Sequence, residues 1–375
     1  MQYRKFGNTG CEISALGFGA MRLPSWDGQP ASPNVKEEEA IHLIRYAIDH
    51  GVNYVDTAYP YHGGQSEYVV GKALADGYRD KTYLATKSPV WKLEKPEDFD
   101  TCLDEQLAKL QTDHVDFYLL HALSRDRWED KVKKLDLCER MRAAKKAGKI
   151  RFMGFSFHDD VSVFKEIIDS CPDWDFCQIQ HNYIDTHNQA GNEGLAYAAS
   201  KGLGVIIMEP LLGGKLATAP AQVAKVLPEG RSAVKWAFDY LWDKPEVGFL
   251  LSGMGSMEMV KENIAYADES HIGMVPAEER PLYEKAREVF QTMAIVPCTK
   301  CSYCMPCPFG VDIPAVYDAY NKTASLGLKK ARPIYEEIAG KADLCRKCGA
   351  CEKQCPQHIR STELMEQIAG TFAAE

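Results

Sequence analysis

Two parts of the chain carry side chains whose types and spacing imply chemistry. In VNYVDTAYPYHGG, residues 52–64, a short apolar run from Val52 to Val55 ends on Asp56, and a polar loop then presents Tyr61 and His62. A carboxylate that ends such a run and opens into a glycine-containing turn is a common way to place an acid–base group at the rim of a parallel sheet. Similar runs end at Lys87, His121 and Ser156; a later one carries Gln178 and Asn182, and the last ends at Ser252. Each of these alone reads as a capped or solvated residue. Together they form a set able to hold and move a proton.

The second part is cysteine chemistry. Of 13 cysteines, Cys11, Cys102, Cys138, Cys171 and Cys177 are scattered, and eight fall after residue 297. Residues 298–308 read CTKCSYCMPCP and residues 345–356 read CRKCGACEKQCP. The latter is C-x2-C-x2-C-x3-C-P, a run that holds [4Fe–4S] clusters, and the former is one residue shorter before its last cysteine. Two C-x2-C pairs also make a four-thiolate zinc site, but four thiolates per group, each group followed by proline, favour iron–sulfur. In two-cluster ferredoxins the fourth cysteine of each run serves the other cluster. The expected ligands are therefore Cys298, Cys301, Cys304 and Cys355 for one cluster, and Cys345, Cys348, Cys351 and Cys307 for the other.

The elements that position the first set follow from periodicity. A hairpin with its turn at Asn8-Thr9-Gly10 precedes an apolar strand near Ala15–Gly19. Further strands are expected at 53–56, 83–87, 115–120, 152–156, 176–181, 204–208 and 247–252. Amphipathic segments near 36–51, 65–74, 96–110, 135–147, 161–170, 192–201, 232–241 and 257–266 alternate with them. Eight strands and eight helices in alternation predict an α/β fold, a closed (β/α)8 TIM barrel, with all the strand ends on one face. Gly17-Phe-Gly19 lacks the third glycine and the helix of a dinucleotide-binding turn.

DTAYPYHGGQSE, ATKS, YLLHAL, GKIRFMGFS, EPLLGGKL and KENI, in this order, resemble the aldo-keto reductase family over roughly residues 1–270. The resemblance implies a nicotinamide cofactor, NAD(P)(H), bound without a Rossmann motif, and a catalytic set of Asp56, Tyr61, Lys87 and His121. A free phenol, with a pKa near ~10, is a reluctant acid–base group at neutral pH, and an ammonium beside it favours the phenolate. Tyr61 then acts as general acid in carbonyl reduction and general base in alcohol oxidation. Asp56 fixes Lys87, and His121 orients the oxygen or relays the proton. Tyr59 and His62 are the nearest alternatives by position. For the cofactor, the resemblance matches Ser156 and Gln178 to carboxamide-binding positions, with Gln180 the alternative two residues on. It matches Met208 to a ring-stacking position, and Ser252 and Asn263 to the adenosine side. Phe157 stands where an asparagine is usual, and Met208 where a tyrosine often stacks. Both departures leave room for a flavin, although no feature marks a flavin phosphate site. Gly253 and Met259 replace the cations that grip a 2′-phosphate, leaving Lys261 as the nearby one, so a preference for NADP does not follow.

The 375 residues with a net charge of −9 predict one large domain and one small one, without a basic stripe for nucleic acid. No apolar segment is long enough for a membrane span, and the first residues lack a signal-like stretch, so a cytoplasmic protein is expected. Residues 1–275 are expected to form the barrel and 276–297 a linker or helix. Residues 298–375 are expected to form a mainly helical ferredoxin-like domain with two [4Fe–4S] clusters, similar to the two-cluster type of multisubunit oxidoreductases. The expected function is an iron–sulfur aldo-keto reductase acting on a small carbonyl or alcohol, its clusters exchanging electrons with a ferredoxin-like redox partner. The alternatives are an electron-transfer protein that uses the barrel as a docking or flavin-binding scaffold, or clusters that only buttress the fold. The loops 123–134 and 211–230 are the expected specificity loops, with Trp26, Trp91, Arg125 and Trp128 as candidate pocket residues.

Overall fold

All eight apolar runs become strands, and the strands close on themselves. In the computed structural model, which describes residues 1–29, 31–219, 221–228, 230–293 and 296–373, β1 (Tyr3–Lys5) and β2 (Glu12–Ser14) form the antiparallel hairpin. They are followed by β3 (Leu16–Gly19), β4 (Tyr54–Asp56), β5 (Tyr83–Ser88) and β6 (Val115–Leu123). Next come β7 (Ile150–Phe157), β8 (Phe176–Gln180), β9 (Gly204–Met208) and β10 (Phe249–Ser252). β3 to β10 pair in chain order, all parallel, and β10 returns to β3 to close the barrel.

The helices between strands obey the 3.6-residue period. Glu37–Asp49 buries Ala40, Leu43, Ile44, Ala47 and Ile48 on one stripe. Its first turn carries Glu37, Glu38 and Glu39, where carboxylates complement the helix dipole. The barrel interior is aromatic. Tyr54, Phe117, Phe176 and Phe249 are buried there together with Phe6 from the hairpin. The Phe6 ring lies 5.6 Å from Phe117 and 5.2 Å from Phe249, so the hairpin plugs one mouth of the barrel. A Cβ on Gly204 or Gly248 would come within 2.6 Å of that ring, which is why both positions are glycine.

By internal contact the chain forms two units, 1–210 with 235–276, and 211–234 with 277–375. The second is helical, with Arg280–Met293, Ile313–Leu326, Leu328–Glu336 and Ser361–Ala373 as its longer helices. It has its own core of Val296, Val316, Tyr317, Ala331, Tyr335, Ile368 and Phe372. The Tyr335 and Phe372 rings stack at 4.0 Å. The loop 211–230, expected as a specificity loop of the barrel, lies within 211–234 and so belongs to this unit. Gly213, at φ +64°, presses so close to the backbone of Thr299 that a Cβ would lie 2.2 Å from its carbonyl oxygen. Among the described residues no helix is long and apolar enough to cross a membrane.

Candidate active site

Asp56, Lys87 and His121 stand at or near the C-terminal ends of three consecutive strands, β4, β5 and β6. Tyr61 begins the short turn Tyr61–Gly64, in which His62 and Gly63 adopt left-handed conformations. His62 pins that turn to the segment after β3. Its Nε2 accepts from the Leu23 amide at 3.1 Å, and its Nδ1 lies 2.7 Å from the Ser32 carbonyl. Tyr59 points elsewhere, towards Lys92 and Glu105.

The Lys87 ammonium is the hub. It donates to Asp56 Oδ2 at 2.5 Å, to the Thr57 carbonyl at 2.8 Å and to the Tyr61 hydroxyl at 3.3 Å. Its backbone carbonyl is held by Gln106 Nε2, which also bonds buried Glu67. The Lys87 side chain is fully buried and that of Asp56 is 4% exposed. Burial pushes the lysine down and the carboxyl up, and their ion pair works against both shifts. His121 meets the Tyr61 ring edge-on at 5.9 Å. Burial, and then the charges of Lys87 and Arg127, hold the imidazole well below its ordinary value, so it is neutral at pH 7.

The strand after His121 is irregular. Pairing with β7 shifts between Leu120 and Leu123, and Ala122 takes a left-handed φ of 56°. A bulge of this kind re-aims the neighbouring side chain. Its two freed backbone groups are both used: the Ala122 amide donates to Ser156 Oγ at 2.7 Å, and Arg127 Nη1 donates to the Ala122 carbonyl at 2.6 Å. The Arg127 guanidinium stacks 4.9 Å from the centre of the Trp91 ring, which lies 5.2 Å from His121. Of the candidate pocket residues, Trp91 alone belongs to this group. Trp26 is 77% exposed, Trp128 is buried, and Arg125 pairs with Glu166 at the surface. Arg127, two positions along from Arg125, was not legible in the sequence because the bulge that recruits it has no local signature.

On the other side of the rim, Ser156 and Gln178 are register partners. Gln178 Nε2 rests 3.4 Å from Met208 Sδ, and its buried Oε1 has no hydrogen-bond partner among the described residues. Gln180, the alternative, is engaged by Asp185 and Gln189. A serine hydroxyl and an unused buried carbonyl offer one donor and one acceptor, the set that a carboxamide needs. Asn182 is a turn residue, accepting from the amides of Ile184 and Asp185.

Asn263 Nδ2 donates to Ser252 Oγ at 3.0 Å, and Ser256 caps the helix Met257–Asp268. The cation beside this loop is not Lys261, whose ammonium lies over Tyr46. It is Arg22, from the segment after β3, whose Cγ would lie 2.6 Å from a Cβ on Gly253.

In the second unit the thiols line two cavities. One is bordered by Cys298, Cys301, Cys304, Cys351 and Cys355, and the other by Cys304, Cys307, Cys345, Cys348 and Cys351. Burial raises Cys298 and Cys304, and the nearby Cys355 thiol adds to both shifts. Left-handed residues Lys300, Ser302 and Lys347 bend the runs. The amides of Lys300 and Lys347 point at the sulfurs of Cys298 and Cys345, each at 3.4 Å.

Comparison with known proteins identifies the two parts of the chain. The model of the aldo/keto reductase family matches residues 15–274, and that of a 4Fe-4S dicluster domain matches 297–359. L-galactose dehydrogenase of Arabidopsis thaliana is 30% identical over 296 residues, covering 72% of this chain and 89% of that protein. The holo form of aldo-keto reductase AKR11C1 from Bacillus halodurans superposes with a TM-score of 0.64 at 25% identity, over 76% of this chain and 96% of that one. An aldo/keto reductase from Klebsiella pneumoniae, solved with NADP and acetate, shares the fold at a TM-score of 0.60 and 24% identity, over 76% of this chain and 94% of that one. This chain belongs to the aldo/keto reductase family and carries a 4Fe-4S dicluster domain in its C-terminal part.

Proposed function

We propose that the barrel catalyses reversible hydride transfer between a nicotinamide cofactor and a small carbonyl or alcohol, with Tyr61 as the proton donor and acceptor. The observation that carries this reading is the Lys87 ammonium, held by Asp56 and placed 3.3 Å from the Tyr61 hydroxyl. As Tyr61 gives up its proton to the carbonyl oxygen, the ammonium stabilises the phenolate left behind. Neutral His121 supports the same oxygen as a hydrogen-bond donor rather than as an acid. Asp56 keeps the ammonium charged in a site that otherwise disfavours charge. A bound nicotinamide supplies the hydride. Ser156 and the unpaired Gln178 carbonyl hold its carboxamide, Met208 borders the ring, and Ser252 and Asn263 face the adenosine side. Arg22 beside Gly253 provides a cation for the phosphates, supplied by a different segment from the one that usually carries it.

In the dicluster domain, Cys298, Cys301, Cys304 and Cys355 hold one [4Fe–4S] cluster, and Cys345, Cys348, Cys351 and Cys307 hold the other. The composition of the two cavities supports this exchange of fourth ligands. Cys348 is exposed, as are Leu344, close to it in sequence, and Phe309, which lines the same cavity. This puts one edge of the second cluster within reach of a ferredoxin-like partner.

Tyr61→Phe tests the barrel chemistry. Turnover of an aldehyde should fall by about 10²–10⁴-fold, the usual worth of a general acid, while the cluster absorbance and the affinity for reduced cofactor stay as in the wild type. Undiminished turnover would remove Tyr61 from the mechanism.

A further inference from the structure

Hydride transfer leaves one buried acid near Lys87 without a use. Glu67, in the first turn of the helix Ser66–Ala73, is fully buried, as are Thr86 and Gln106 beside it. Its Oε1 accepts from Thr86 Oγ1 and from Gln106 Nε2, both at 2.6 Å. Gln106, on the helix Glu97–Leu110, also donates to the Lys87 carbonyl at 3.1 Å and accepts from the Tyr118 hydroxyl at 2.7 Å. One neutral amide therefore ties the Glu67 carboxyl to the backbone of the lysine beside Tyr61.

A buried carboxyl is costly, and packing a helix on a strand does not require one. Its other oxygen, Oε2, lies 3.7 Å from Lys109 Nζ, and Lys109 sits closer to Glu105, at 2.7 Å. One ammonium is thus shared by two carboxylates, so the charge of Glu67 is not cancelled one for one. Burial raises the Glu67 carboxyl, and Thr86, Gln106 and Lys109 oppose that rise. At Lys87 burial disfavours the ammonium, and Asp56 and then Glu67 work against it.

We propose that Glu67 is a positioning residue for the proton transfer, fixing the Lys87 backbone through Gln106 and placing a second buried negative charge near the ammonium. The inference rests on the assignment of Tyr61 as the proton donor. The groups facing Lys87 are Asp56 from β4, Tyr61 from the turn after it, His121 from β6, and Glu67 from its helix, with Lys109 and Glu105 beyond Glu67. Asp56 binds the ammonium directly. Glu67 adds a longer-range attraction that keeps the proton on the Lys87–Tyr61 pair to a higher pH.

The test follows reduction of 4-nitrobenzaldehyde by the full-length, cluster-loaded protein across the neutral and alkaline range. Glu67→Gln keeps the acceptor for Thr86 and Gln106 and leaves Lys109 its bond to Glu105, so it removes charge with little change of shape. Its basic limb in kcat/KM should move down by about 0.5–1 pH unit. Glu67→Asp keeps the charge but withdraws the oxygen from Gln106. Its limb should stay within about 0.2 unit of the wild type while kcat falls by about 3- to 10-fold.

A limb that stays in place in Glu67→Gln overturns the proposal, because a purely structural carboxyl would change melting and kcat without moving it. If Glu67→Gln does not fold, Glu67→Asp decides. A limb displaced downwards although the charge is kept sinks the idea, and an unmoved limb with reduced kcat upholds it. Tyr61→Phe separates the two claims. If that protein stays active, the proton-donor assignment falls and this role falls with it. If it is inactive while the limb of Glu67→Gln is unmoved, only the role of Glu67 fails.

Discussion

Lys87 sits where a lysine is least at ease, fully buried and paired with Asp56 through Oδ2. Breaking such a pair costs more than the pair contributes, because it leaves a buried charge alone. On the proposed mechanism that cost has a use, because an ammonium beside a phenol is what the proton transfer requires. His121 makes the same trade in the opposite protonation state, and its effect on stability can be read with pH. The folded imidazole resists protonation, while the unfolded one takes up a proton below about 6.5. Stability from this residue is therefore present above that value and lost as the pH falls through it. Between pH 7 and 5, unfolding free energy should decline with a slope of up to about 1.4 kcal/mol per pH unit from this group. In His121→Gln, denaturant titrations should show that decline reduced by about one proton, with the lowered, buried His62 supplying part of what remains. An unchanged slope would mean that His121 titrates normally in the folded protein. Asp56, Lys87 and His121 could be singled out in the sequence because each ends a run of apolar residues, and Tyr61 because the family resemblance places the tyrosine five residues after the aspartate. Arg127 and Arg22 could not. Both are placed by non-local contacts, Arg127 with the Ala122 carbonyl and the Trp91 ring and Arg22 with Gly253.

At the level of elements, the alternation of strand and helix was almost fully readable, since each strand is short, apolar and bounded by polar or glycine residues. Regular patterning does not reveal where a strand departs from regularity. The bulge at Leu120–Leu123 and the π-helical turn Trp128–Lys133 that follows it have ordinary local sequences, and the bulge shows only in how β6 pairs with β7. The hairpin plug is the converse case. Its turn was readable, but its purpose lies in the packing of Phe6 against two distant glycines. Gly204→Ala would drive a methyl into that ring. Overpacking of this kind costs about 1–3 kcal/mol, so thermal unfolding should begin several degrees lower. An unchanged midpoint would mean that the hairpin shifts freely and does not plug the barrel.

For the molecule as a whole, the least readable feature was which unit segment 211–234 joins. Its mixed composition resembles any barrel loop, and non-local contacts show where it packs: Gly213 with the backbone of Thr299, one residue beyond Cys298, and Arg231 with Glu279. Stripping the iron anaerobically with a chelator should therefore raise amide hydrogen exchange in residues 211–219 together with that in 298–307. Exchange that rises at the cysteine runs alone would mean that the loop is held independently of the metal sites.

The same contact also bears on synthesis. Gly213 leaves the ribosome 86 positions before Thr299. At about 5–20 residues per second, that delay is roughly 4 to 17 s. In that interval the nascent chain has to hold a segment whose partners have not yet been made, while β10 and the last barrel helix are still being added. On the proposed cluster assignment, insertion falls late in the order of events, after a segment translated long before has met the backbone beside Cys298.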